Sequence, residues 1–251
     1  MAGALLAAFG AASLFFAYAD QKGERLLALD ANAVAAKSIV AAICPGGRSI
    51  PVVLLGEKPA GAKDTVRDTA RNFDERPGFR FGVKGGKVEP DSSCLLVDHD
   101  YLGRHKLLAF TPAKRDSKCD AALEKAVAVA KEPWRIEKCW LLGAATEAGD
   151  LALVRFKARK KDALASIVLK GATTAFYDMP AKVDALSMWR VDDEGSIGPE
   201  AFKIGGVLSG NGQTDIIVDW GAFEGSNLQV LRHKGAKLEP FDVASRYWSP
   251  E

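Results

Sequence analysis

Asp98 and Asp100 flank His99 at the end of Ser93 to Asp98, a run that reads as a strand, so the two carboxylates would share one face and the imidazole the other. Carboxylates so placed could work as a base and acid pair in a hydrolase, or hold a metal; a hairpin turn with solvated acids is the plainer account. The other histidines, His105 and His233, complete neither an HExxH motif nor an i, i+4 pair, which excludes a zincin at the level of motif. No GxSxG elbow, P-loop or GxGxxG after a strand occurs. Asp219 and Glu224 border the loop around Ala222 to Ser226, where they could bind a ligand or keep a strand edge charged. Trp248, near the C-terminus, and Trp134, beside Pro133, could offer a flat indole face to a sugar. Trp140, Trp189 and Trp220 fall in strand-like runs and read as core.

Arg155, Lys157, Arg159, Lys160 and Lys161 form the densest basic cluster. Three of them alternate along a strand and could face a polyanion, but no aromatic interleaves apart from inward-facing Phe156, so a solvated hairpin tip explains them better. The whole chain carries 34 Lys and Arg against 32 Asp and Glu, a net charge of +2, so nucleic acid is not an expected partner. With 251 residues, 48% hydrophobic and 26% charged, the composition is that of a folded globular chain.

The four cysteines, Cys44, Cys94, Cys119 and Cys139, contain no CxxC, which argues for two disulfides rather than a zinc ribbon or redox pair. Of three connectivities, Cys119 with Cys139 and Cys44 with Cys94 is preferred, because the first pair brackets one local helix-to-strand unit. Disulfides imply an oxidising compartment, and the N-terminus agrees. Residues 1–19 carry no charged side chain, and Leu5 to Tyr18 form an apolar run ending in Ala17-Tyr18-Ala19. That pattern predicts a signal peptide cut after Ala19, with an uncleaved anchor as the alternative. No other stretch reaches membrane length, so no membrane span is expected after cleavage, and the protein should be periplasmic or secreted.

The elements that must position these residues are mostly strands. Pro51 to Leu55, Phe79 to Lys84, Ser93 to Asp98, Lys106 to Phe110, Leu151 to Lys157 and Leu164 to Lys170 are strand-like runs separated by Gly, Pro and Asp. A helix is predicted over Asp120 to Lys131, where Leu123, Ala126, Val127 and Ala130 repeat at helical spacing behind an Asp120 cap. Around Asp30 to Ala42, Ala-rich spacing suits a helix and Ser38-Ile39-Val40 a strand.

Internal similarity organises the rest. Lys84-Gly85-Gly86-Lys87-Val88-Glu89-Pro90 returns as Lys234-Gly235-Ala236-Lys237-Leu238-Glu239-Pro240, and Lys170-Gly171-Ala172 opens a weaker copy. The last two copies extend at an offset of 64 residues, from Phe176-Tyr177-Asp178 to Pro240-Phe241-Asp242. If the three Lys-Gly pairs are equivalent hairpin turns, Gly85, Gly171 and Gly235 should each adopt positive φ.

Val207-Leu208-Ser209-Gly210-Asn211-Gly212-Gln213-Thr214-Asp215, followed by Ile216-Ile217-Val218, resembles the calcium-loop repeat of the FG-GAP and VCBS families of integrin-like β-propellers. Carried over, the resemblance puts ligand positions on Val207, Ser209, Asn211 and Asp215; Val207 has no side-chain ligand, so Ser209, Asn211 and Asp215 would remain as a degenerate calcium loop. No other cofactor is expected, and calcium is predicted to change stability little. Asp98 to Gly103 could be a further degenerate loop.

The expected fold is therefore mainly β, with α+β as the alternative: antiparallel hairpin or meander units in repeat, propeller-like or sandwich, with one or two short helices. Residues 20–140 would form an N-terminal β-rich part with the four cysteines and a short helix, and 141–251 a C-terminal part with two hairpin repeats, the two parts joining into one domain if their cores are continuous. The expected function is an exported β-rich binding or interaction protein with a protein or glycan ligand and no evident catalytic site; the alternative is a periplasmic hydrolase using acids near Asp98 and Asp100.

Overall fold

A computed structural model describes residues 13–183, 197–222 and 224–248. The first six strands are β1 (Leu14–Ala19), β2 (Arg25–Ala28), β3 (Ile39–Cys44), β4 (Arg48–Lys58), β5 (Gly78–Val83) and β6 (Ser93–Asp98). They close a barrel in the order β1-β2-β5-β4-β3-β6. Its lumen is filled by Ala17, Ala19, Leu26, Ala42, Phe81 and Leu96, alternate residues of strands whose other face turns outward. The Cys44–Cys94 disulfide lies in this lumen, and Cys119–Cys139 forms the second bridge, so the expected connectivity is the one present.

The barrel absorbs part of the expected leader. Residues 1–12 lie outside the described residues, but β1 is hydrogen-bonded to β2 on one side and to β6 on the other. A cut after Ala19 would remove that strand and open the barrel. The segment around Asp30 to Ala42 resolves into one helical turn, α1 (Ala33–Ala36), capped by the Asn32 side chain, and then β3, where β-branched Ile39 and Val40 favour the strand.

Beyond the barrel come α2 (His99–Arg104), β7 (Lys106–Leu107), β8 (Phe110–Pro112) and α3 (Ala121–Ala130). The predicted helix is therefore present, with Asp120 accepting from Leu123 N as its cap. The predicted strand Lys106 to Phe110 is instead split into two pieces that pair with different neighbours. The chain continues through β9 (Ile136–Ala145), β10 (Gly149–Phe156), β11 (Asp162–Lys170) and β12 (Thr174–Lys182). A 3₁₀ turn at Pro199–Ala201 then leads to β13 (Phe202–Gly210), β14 (Gln213–Gly221), β15 (Gly225–Lys234) and β16 (Lys237–Tyr247).

These later strands make one ten-stranded sheet in the order β7-β13-β14-β15-β16-β12-β11-β10-β9-β8. Within it, two four-stranded antiparallel meanders, β13 to β16 and β9 to β12, are joined by one parallel bridge, Phe176 to Lys237, and β7 and β8 add a short strand at each end. Its two ends, β7 and β8, belong to the same short segment, so the sheet curls until its ends are almost in contact. Leu151, Leu153, Ile167, Val207, Ile216 and Leu231 fill the interior of that curl. The outer face of the first meander is covered by α3 through Leu123 and Val127. The outer face of the second is covered by the barrel, where Phe16, Ile43 and Leu95 meet Ile217, Leu228 and Val230. The sheets thus divide between β6 and β7, whereas residues 140 and 141, the expected boundary, lie inside β9.

Two of the three Lys-Gly pairs have the expected glycine conformation, but only Lys234-Gly235 combines it with a hairpin. Gly85 and Gly235 have positive φ, 73° and 60°. Gly171 does not; it is required because a Cβ there would collide with the Ala148 carbonyl oxygen. Lys84-Gly85 joins β5 to β6, which are not paired with each other, so the first copy is not a hairpin.

Candidate functional site: the cleft between barrel and sheet

The acids singled out in the sequence divide into those that hold the fold and those that face solvent together. Asp98 belongs to the first group. It caps α2, its Oδ1 accepting from Tyr101 N at 2.7 Å while Oδ2 accepts from Ser13 N at 2.6 Å. Capping explains why the chain turns into a helix at a place that reads as strand: an Asp at the N-cap satisfies amides the first turn leaves free. Asp98 and Asp100 therefore do not share a strand face, since Asp100 is an exposed residue of the first turn of α2.

Asp215 is also structural. It is fully buried on β14, where its two oxygens accept from Arg232 Nε and Nη2, both at 2.7 Å, and Oδ2 also accepts from Tyr101 Oη at 2.8 Å. The hydrogen bond to Asp215 raises the Arg232 pKa above its usual value. Burial, with the Asp215 carboxylate beside it, pushes the Tyr101 hydroxyl well above the ordinary tyrosine range. His105 stacks on Tyr101 with ring centroids 4.1 Å apart, completing a tie between α2 and the sheet.

The degenerate calcium loop is a tight hairpin. Gly210 pairs with Gln213 across Asn211 and Gly212, whose φ values of 51° and 73° are those of a type I′ turn, the conformation Asn-Gly favours. Asp215 lies opposite Leu208 and Ser209 opposite Thr214, so pleating sends Asp215 and Ser209 to opposite faces. Ser209, Asn211 and Asp215 do not converge, and among the described residues no group of three or more His, Cys, Asp or Glu side chains could hold a metal.

A cleft of about 540 Å³ between the barrel and the second meander does collect candidates. Asp219 of β14 and Trp248, which follows β16, line it together with Lys203, Glu200, Arg246 and Asp91. Lys203 and Asp219 are cross-strand partners in the β13–β14 ladder. Glu200 projects from the 3₁₀ turn that precedes β13. Glu224, the other acid expected here, is not among the lining residues; its carbonyl accepts from Trp248 N at 2.6 Å and so fixes the backbone that presents the indole.

The floor of the cleft is rigid. Arg246 is buried in it, its Nε and Nη1 donating to the Asp68 and Asp91 carbonyls at 2.6 Å each, and its Nη2 to the Asp91 carboxylate. Its guanidinium lies 4.6 Å from the centre of the Tyr18 ring and 5.4 Å from that of Trp248. Asp68 sits on the long excursion between β4 and β5; its amide donates to the Tyr247 carbonyl at 2.7 Å, and its Oδ2 accepts from Tyr247 N at 3.1 Å. Arg76 braces the excursion by bonding Asp68 at 3.0 Å and Asp64 at 3.2 Å. Burial opposes charge on Asp64, yet hydrogen bonds from Asn72, Val66 N and Arg76 outweigh it and hold its pKa below the usual carboxylate value.

The remaining predicted residues lie elsewhere. Trp140 and Trp220 pack against the interior of the curled sheet, and Trp134 beside Phe156. Trp189 lies outside the described residues. The basic cluster is the tip of the β10–β11 hairpin, with Lys160 in its turn at φ 56°; Arg155 is paired to Glu137 at 3.1 Å. Sequence reading missed Arg246, Lys203, Glu200 and Asp91. Arg246 carried no signal in the sequence, because the larger apolar residues of β16 near it, Phe241, Val243 and Tyr247, alternate on the opposite face and are exposed.

No protein-family model, curated protein or solved structure gave a significant match to this chain. Among the described residues no helix is long and apolar enough to cross a membrane, and the two disulfides fit an oxidising, exported environment.

Proposed function

We propose that the chain is an exported binding protein whose cleft between barrel and sheet receives a short glycan, neutral or amino-substituted. One observation carries this reading: Asp219 and Trp248 meet in a cleft whose lining has more carboxylates, Glu89, Asp91, Glu200 and Asp219, than cations, Lys203 and Arg246. A half-buried indole supplies the flat apolar face that pyranose rings stack on, and carboxylates accept hydrogen bonds from several hydroxyls or pair with an ammonium. The excess of carboxylates disfavours a polyanion by like-charge repulsion. Arg246 is already engaged in the floor and serves to hold the site open.

Calorimetric titration with a glucosamine tetramer, a cellotetraose and a galacturonate tetramer tests the reading. Binding of either of the first two, weakened at least tenfold by Trp248→Ala and by Asp219→Asn with unchanged thermal stability, supports it. Binding of none, or binding indifferent to Trp248→Ala, sinks it. Converging carboxylates also favour a second reading, acid-assisted hydrolysis in this cleft rather than at Asp98 and Asp100. Release of reducing ends from the same oligosaccharides, lost in Asp219→Asn, would favour that reading over simple binding.

We also take the two meanders, whose strands β10, β11 and β12 match β14, β15 and β16 at the 64-residue offset, as copies of one unit. The FG-GAP and VCBS resemblance stays confined to the β13–β14 hairpin within it.

A further inference from the structure

We propose that the cleft continues past Asp91 into an anion subsite, so that its glycan is amphoteric, with an amino sugar against Trp248 and Asp219 and an acidic sugar against Arg67 and Lys63. The inference rests on the glycan reading above and narrows its ligand. Three observations carry it. The first is continuity: a second cleft, of about 800 Å³, lies along the excursion between β4 and β5 and shares Thr69, Pro90 and Asp91 with the first. The second is a reversal of charge along that path. Carboxylates outnumber cations in the first cleft, whereas Lys63, Arg67 and Arg71 outnumber Glu75 and Asp91 in the second.

The third is how those charges are used. Both acids of the second cleft are engaged by the protein: Asp91 Oδ1 accepts from Ala70 N at 2.8 Å and from the buried Arg246 guanidinium, and Glu75 Oε2 accepts from Lys63 N at 3.2 Å. The Lys63 ammonium and the Arg67 guanidinium form no ion pair among the described residues, so the cleft presents cations. Arg67 is half-buried, which lessens the screening of its charge. The turn that carries it is held in place. Asn72, 6% exposed, accepts from Thr65 N at 3.3 Å and donates to the Arg67 carbonyl at 2.9 Å, while Asp64 Oδ1 accepts from Val66 N at 2.9 Å. Those bonds keep Val66 at φ 56°, a left-handed conformation that a β-branched residue adopts reluctantly, with Thr65 and Arg67 on the cleft wall at either side. A sugar carboxylate entering here would accept charge-assisted hydrogen bonds from Arg67 and Lys63. A polyanion stays excluded, because its neighbouring acids would fall on the carboxylates beside Trp248.

The test is calorimetric titration of the full chain, its disulfides intact, with two tetramers: glucosamine throughout, and glucosamine alternating with glucuronate. The mixed tetramer should bind about tenfold more tightly, the worth of one well-placed charge pair. The Lys63→Ala, Arg67→Ala double variant, with an unchanged thermal midpoint, should lose that gain while binding the glucosamine tetramer as the native chain does. Equal affinities for the two tetramers, or a gain that survives in the double variant, overturns the proposal. Glucuronate alone reads the second cleft without the first. In amide NMR spectra it should shift the signals of Thr65, Val66 and Arg67, and no shift overturns the proposal as well. Glucuronate shifts with neither tetramer bound would sink the glycan reading and leave the anion subsite standing, so the two failures are told apart.

Discussion

Asp178 and Asp242 occupy the same place in the two meanders, 64 residues apart, and their fates differ. Asp178 lies opposite Ser166, accepts its hydroxyl at 2.6 Å and is paired with Lys131, the C-cap of α3, at 2.6 Å. Asp242 lies opposite Val230, which has no hydroxyl, on the face that the barrel covers. Burial raises its pKa, only partly offset by a hydrogen bond from Val243 N. Strand and cover both contribute to the difference: β11 carries Ser166 where β15 carries Val230, and the end of α3 brings the Lys131 cation, whereas the barrel wall of Phe16, Ile43 and Leu95 brings apolar surface. The second meander concentrates its polar ties at its margins instead, in the buried Asp215 tie to α2 at one end and in the Arg246 floor of the cleft at the other.

Removing the tie on each side should expose that asymmetry most strongly. Asp215→Ala strands Arg232 and Tyr101 in a buried place and should cost about 3 to 5 kcal/mol in urea unfolding. Asp178→Ala breaks a pair whose carboxylate is half in solvent and should cost about 1 kcal/mol or less. Equal costs would mean that the two covers are energetically alike. The disulfides sharpen the same contrast, since one lies in the barrel and the other beneath α3. Bridge separations of 50 and 20 residues predict losses of about 4 kcal/mol for the Cys44→Ala, Cys94→Ala double variant and about 3 kcal/mol for Cys119→Ala, Cys139→Ala. A larger loss for the shorter loop would show that the α3 cover depends on its bridge for more than chain entropy.

Turn substitutions probe a smaller term. Gly235→Val should cost about 1 to 2 kcal/mol through its positive φ, while Lys234→Ala, which loses an exposed pair with Glu239, should stay within about 0.5 kcal/mol. Gly171→Val should be costly for a different reason, collision with the Ala148 carbonyl, and thermal unfolding of all three separates strain from crowding. The smallest effect concerns Asp242. Its folded pKa is raised, so its contribution is complete below the unfolded carboxyl pKa of about 3.9 and is lost as pH rises through the folded value. Asp242→Asn should therefore gain stability relative to the native chain at pH 7 compared with pH 3. A flat difference between the two profiles would mean that the barrel face is wetter than it looks.

Strand content, α3 with its cap, and the Cys119–Cys139 bridge were legible in the sequence because each depends on neighbours along the chain: alternation, i, i+3 and i, i+4 spacing, and a bridge around one local unit; Cys44–Cys94, 50 residues apart, followed only as the remaining pair. Barrel closure was not, since the pairing of β1 with β6 is decided by what else can cover Phe16 and Leu95. The apolar run at the N-terminus is ambiguous for the same reason, because a leader and a buried strand draw on the same residues. The Asn211-Gly212 pair carried a hairpin signal, and the acid four residues on drew attention to a cation instead. Asp219 and Trp248 were identifiable one by one, but their meeting depends on the Arg246 floor, which joins a strand to an excursion 178 residues away in sequence.

The strap from Lys106 to Pro112 sets an order in time. All six barrel strands lie before residue 99, whereas the strap must find β13, about a hundred residues downstream, on one side and β9 on the other. Loop closure over that distance is slow, and a barrel of nearer pairings should form first. The barrel then acts as a template, a preformed wall against which Ile217, Leu228 and Val230 can settle when the last meander arrives. Pulse-labelled hydrogen exchange should accordingly protect the amides that pair β3 with β4 before those that join the strap to β13, and the reverse order would remove the template role.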